Sequence, residues 1–174
     1  RVYRHGELVE TPNDIQHLFE EDMVSFLIGC SFTFEHALLD AGLPVRHIEE
    51  QHNVPMYVTN IDTRPSGIFR GPLTVSMRPM TMKEAIKATE ITTHYKQVHG
   101  TPIHIGRPED IGIKDLSQPD FGESVQINEG EVPVFWGCGV TPQSVALAAK
   151  PDLVITHAPG HMFVTDVLES QMGD

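Results

Sequence analysis

The sequence predicts an α/β fold: a mainly parallel or mixed sheet in an α/β/α sandwich, with a small inserted α+β subdomain. Three observations point there. Glu131-Val-Pro-Val-Phe-Trp136 reads as a buried strand running through Gly137-Cys-Gly into a helix, and Asp152-Leu-Val-Ile-Thr156 reads as a second strand followed by a tight loop and another helix. Strand, loop and helix repeated in series imply a parallel sheet with helices on its faces. Nearer the N-terminus, the apolar run Asp22–Cys30 ends in Gly-Cys-Ser and leads into a helical pattern. Residues 62–120 show a mixed pattern instead. The expected division is 1–61 and 121–174 as the sandwich carrying the site, and 62–120 as the insertion.

Taken in order, RVYRHGELVE alternates like a short strand pair around His5-Gly6, and TPND supplies a turn and cap for a helix near residues 13–22. The run 22–30 fits either a buried strand or the end of that helix, since length does not separate the two. FTFEHALLDAG has helical spacing and stops at Gly42, with Pro44 beyond. Gly71–Arg78 is a strand candidate, Met82 to about Tyr95 a helix with a stripe at Ala85, Ile86 and Thr89, and Thr101–Gly106 a short strand. Residues 107–130, rich in Pro, Gly and Asp, read as surface loop. Thr141 reads as an N-cap with Pro142 at the first helical position, and HMFVTDVLES as the last helix.

At 174 residues and 40% hydrophobic content the chain can bury one real core. Its 12 Lys and Arg against 24 Asp and Glu give a formal charge of −12, which repels nucleic acid and anionic membrane surfaces. A small anionic substrate remains compatible with a few arginines in a cleft. No apolar run reaches the length of a membrane span and no signal-peptide pattern opens the chain, so a cytoplasmic protein is expected. The first residue is Arg1 rather than Met, so the chain is expected to begin within a longer gene product. Cys30 and Cys138 form no CxxC pair and fit a reducing compartment. No cofactor is expected, and a homo-oligomer is.

The chemistry is expected at loops that precede helices, where backbone N–H groups and the helix dipole favour an anion. WGCGVT and HAPGH are such loops. They contain neither GxxxxGK[ST] nor GxGxxG, which argues against a nucleotide. His157 and His161 are spaced like helical metal ligands, but Pro159-Gly160 between them breaks a continuous helix. They are therefore candidate acid/base groups, with a metal site shared with His99 or His104 as the rival. Cys138 is a candidate catalytic thiol at a helix start. Arg78 and Arg46 are candidate carboxylate clamps. Cys30, Gly139, Thr141 and Gly160 complete the expected substrate contacts, and Glu35 and Asp166 are possible orienting carboxylates.

FLIGCSFTFEHALLDAGLPVRHIE, NVPMY, GPLTVSMRPM, VHGTPIHIG, EVPVFWGCGVTPQSVA and ITHAPGHMFVTD resemble, in order and across nearly the whole chain, a bacterial hydro-lyase family. That family is similar to the cyclase region of mitochondrial D-glutamate cyclase. The resemblance implies an α/β sandwich with a smaller inserted domain and an activity that eliminates water, with D-glutamate cyclisation to 5-oxo-D-proline as its specific form. Members of the family are generally longer, with an N-terminal Gly- and Pro-rich block. On this reading His157 or His161 moves protons, the N–H groups from Cys138 to Thr141 hold an oxyanion, and Arg78 clamps the α-carboxylate. The rivals are a metal-assisted hydrolase or hydratase and a non-catalytic binding module for a small acid.

Overall fold

The computed structural model describes residues 1–158 and 161–173. Its two sheets overturn the expected parallel or mixed α/β/α sandwich, because every strand pairing found is antiparallel. Strands β1 (Val2–Arg4) and β2 (Glu7–Glu10) form the expected hairpin, and β7 (Val154–Ile155) joins β1 to give the order β2-β1-β7. The second sheet has the order β3-β4-β6-β5, from β3 (Met56–Asp62), β4 (Pro72–Thr81), β6 (Glu131–Gly137) and β5 (His104–Ile105). Strands β4 and β5 come from the 62–120 stretch and pair with strands outside it.

After β6 and helix α4 (Val140–Ala149), the chain does not return to the same sheet but adds β7 to the N-terminal hairpin. The apolar runs misled for a physical reason: continuous apolar strands signal burial on both faces, which parallel sheets usually supply. Here an antiparallel sheet is covered on both faces. On one side, Phe34 and Leu38 of α1 (Phe32–Asp40) and Ala85 and Ala88 of α3 (Met82–Thr92) pack with Met80, Val134 and Trp136. On the other, Ile111 and Ile113 and the partly buried Val125 and Ile127 pack with Tyr57, Val75, Met77 and Phe135. Residues of β4 and β6 alternate between the two clusters as strand geometry requires.

Helix ends follow local chemistry. α1 ends where Gly42 takes φ +72°, the left-handed value glycine adopts freely. α3 starts with a capping box: Thr81 Oγ1 accepts from Glu84 N–H, and the Glu84 carboxylate accepts from Thr81 N–H at 2.8 Å. A single turn, α2 (Arg46–Glu49), follows α1. Two expected helices are absent. Residues 13–22 form only a 3-10 turn at Gln16–Leu18, and residues 161–168 form none before a 3-10 turn at Glu169–Gln171. Both stretches are largely exposed, and short helices without a packed face are marginal in water. Among the described residues no helix is long and apolar enough to cross a membrane.

Candidate functional site

At the centre of the α1 face lies a buried ionic cluster. Arg78, mid-strand in β4, donates through Nε to Glu35 Oε1 at 3.0 Å, and its Nη2 also bonds that oxygen. Further bonds run to Ser31 Oγ and Ser76 Oγ, each at 3.1 Å. Its Cζ stands 5.3 Å from the centre of the Phe34 ring and 5.4 Å from that of Trp136. His47 Nε2 completes the group, 3.1 Å from the same Glu35 oxygen, while its buried Nδ1 has no hydrogen-bond partner among the described residues. Burial pushes the Glu35 carboxyl up, but the His47 hydrogen bond and the Arg78 charge outweigh it and hold the group below the usual carboxylate range. Ser31 occupies the N-cap of α1 without capping it; its hydroxyl serves Arg78 instead.

Two Gly-Cys loops meet beside this cluster. Gly29-Cys30 opens α1 and Cys138-Gly139 opens α4, and a Cβ on Gly139 would lie 3.6 Å from the Gly29 carbonyl oxygen. Each thiol lies under the first N–H groups of its own helix: Ser31 and Phe32 for Cys30, Gly139 and Val140 for Cys138. Burial nevertheless dominates and raises both thiols above their ordinary value, so both are protonated at neutral pH. They are close enough that ionised Cys30 would oppose ionisation of Cys138, and both feel the Arg78 charge. The fold enforces this approach. Cys138 N–H bonds the Thr74 carbonyl at 3.0 Å, and a Cβ on Gly29 would stand only 2.3 Å from Val98 Cγ1, so only glycine fits there.

His99 belongs to the same neighbourhood. Its Nε2 is buried without a hydrogen bond among the described residues, its backbone takes φ +81°, and its ring lies at the Gly29 backbone. Burial lowers its pKa, so the imidazole is neutral at pH 7. The sequence offered His99 only as a metal-ligand alternative. Its position in VHG, against the Gly29 loop, depends on a contact nearly seventy positions away that no local pattern reports.

The other expected residues are distributed as follows. Thr141 is the second residue of α4, behind Gly139 at the N-cap, and its Oγ1 accepts from Thr74 N–H at 2.9 Å, pinning the helix to β4. Arg46 is held by Glu131 at 2.7 Å, Glu49 at 3.0 Å and the Gln126 carbonyl at 3.3 Å. His157 is exposed, its Nδ1 2.7 Å from the carbonyl of Ala158. His161 and Asp166 are exposed, and Gly160 lies outside the described residues. The strands read at 131–136 and 152–156, expected in one parallel sheet, belong to different sheets. The structure thus unites Cys30, Cys138, Gly139 and Arg78 and leaves Arg46 in a separate ion cluster. Among the described residues no three His, Cys, Asp or Glu converge as metal ligands. A surface hollow of about 300 Å³ beside Tyr57, Lys114 and Asp120 includes none of the expected residues.

Comparison with known proteins adds the family. The D-glutamate cyclase family model matches residues 24–166. A Staphylococcus carnosus protein named "Putative hydro-lyase" is 74% identical over 174 residues, 100% of this chain and 66% of its own. A relative from Staphylococcus haemolyticus whose name also begins "Putative hydro-lyase" is 70% identical over 100% of this chain and 67% of its own, and another from Bacillus licheniformis 60% over 99% and 66%. The chain spans about two thirds of the length of these relatives.

Proposed function

The chain belongs to the D-glutamate cyclase family, and from that premise we propose that it serves a hydro-lyase acting on a small carboxylic or amino acid, with D-glutamate giving 5-oxo-D-proline and water. The observation that carries this reading is the meeting of the two Gly-Cys loops, each at a helix N-terminus, beside the buried imidazole of His99, whose Nε2 has no partner among the described residues. Cyclisation requires the α-amine to attack the γ-carboxyl carbon. One C–N bond forms and one C–O bond breaks; the ammonium gives up two protons in turn, and the departing carboxylate oxygen takes up two and leaves as water. A protonated thiol suits the second task and a neutral imidazole the first.

In this scheme Cys138 and Cys30 donate to the leaving oxygen, and His99 Nε2 accepts from the ammonium. The N–H groups at the starts of α1 and α4 face the oxyanion. Arg78 is a positioning residue here: Glu35, Ser31 and Ser76 occupy its donors, and its charge lies beneath both thiols. His157 and His161 are the alternative proton carriers.

The test is product formation, followed by mass, in the full-length Staphylococcus carnosus relative altered at the positions matched to Cys138, His99 and His157. Alanine for Cys138 or His99 should lower turnover by about 10²-fold or more, the usual contribution of a general acid or base. Loss of that size at His157 alone, with the other two within tenfold of the parent, would transfer the chemistry to the histidine loop.

A further inference from the structure

We infer that the apolar runs at residues 24–28 and 162–168 are where this fold receives the additional third of the chain that its longer relatives carry. Phe26 and Leu27 are 78% and 79% exposed, Phe163 and Val164 74% and 87%, with Val24, Ile28, Val167 and Leu168 also open to solvent. Exposed apolar side chains are ordinary when scattered, but two runs of this kind mark a surface that another element covers. Both runs are moored at one place. Gly29 lies against Val98, and a Cβ on Gly173 would stand 3.3 Å from Tyr95, at the turn that follows α3. The Glu169–Gln171 turn also lies beside α1, so one covering element reaches both runs.

The occupant follows from length and charge. The relatives named above extend over about half as much chain again, since this sequence accounts for 66–67% of them. Exposed Glu20, Glu21 and Asp22 border the first run, and Asp166 and Glu169 the second. The covering segment is therefore apolar where it touches and basic at its rim. It also reaches the paired loops, because Ile28 adjoins Gly29 and its Cγ2 is 3.9 Å from where a Cβ on Gly139 would stand. This inference does not depend on the proposed reaction.

Hydrogen–deuterium exchange on the 174-residue chain and on the full-length Staphylococcus carnosus relative tests it. The amides of 24–28 and 162–168 should exchange as open segments in this chain and at least about tenfold more slowly at the matched positions of the relative. Equally fast exchange in both overturns the inference. Slow exchange in the 174-residue chain, through a dimer seen by light scattering or through its own fold, overturns it too, because the runs would then already be covered. As a second readout, aspartate for Phe26 and Val164 should leave the melting midpoint of this chain unchanged and lower that of the relative. An unchanged midpoint in the relative contradicts the inference.

Discussion

Arg78 is bonded to groups from its own strand, from α1 and from the loop before α1, whereas the His157 ring meets the carbonyl of the very next residue. Both were expected to touch substrate. Bonds between distant segments fix a side chain only when the whole fold is formed, and they hold it to a geometry that chemistry can use. A bond to a chain neighbour fixes little. The region around Arg78, Cys30 and Cys138 is thus built by bonds between distant side chains, whereas the backbone before His157 is anchored at Thr156 to Arg1 and the His157 ring itself meets only its neighbour.

The largest difference should appear on deleting a charge from the built region. Glu35→Ala leaves Arg78 and His47 buried without their carboxylate and should cost about 3–5 kcal/mol in urea unfolding, as removal of one partner from a buried ion pair does. A loss under 1 kcal/mol would erase the contrast. The pH dependence should agree in sign. Because the folded Glu35 pKa lies below its unfolded value near 4.5, its contribution is complete above that value and disappears as pH falls through the folded pKa. Acid titration of stability should show this fall, and Glu35→Gln should remove that part of it.

Smaller effects sharpen the same contrast. Thr81→Ala, which removes the capping box at the start of α3, should cost about 1 kcal/mol by thermal melting. His157→Ala should change stability by less than about 0.5 kcal/mol, as surface substitutions usually do. A cost at His157 comparable to that at Thr81 would mean that its side chain is held by more than the carbonyl of its neighbour.

What the sequence made legible was local. The hairpin around His5-Gly6, the α1 stop at Gly42, β4, β6 and the existence of α3 and α4 rest on turn chemistry and periodicity, which operate within a few residues, but α3 buries Ala85, Ala88 and Thr92 with Ile86 exposed, and α4 starts from Gly139 rather than with Thr141 as its cap. The sheet was not legible, because strands buried on both faces look alike whichever way they pair, and β3 was passed over although NVPMY lies at its start. The helix expected after His157 had helical spacing but no partner face in this chain. In the candidate site, the Gly-Cys loops were found from their position before helices, while their mutual approach and His99 depend on long-range contacts. Arg78 drew notice as an arginine at a strand end; its burial under Phe34 and Trp136 had no local signal.

Thiol labelling reads directly where a small acid binds. Iodoacetamide modification of Cys30 and Cys138, followed site by site by mass at a pH high enough to ionise these raised thiols, should slow at both positions together when D-glutamate is added. Unchanged labelling of both thiols, while the ring resonances of His157 and His161 shift on the same addition, would place the ligand at the other loop and contradict the account.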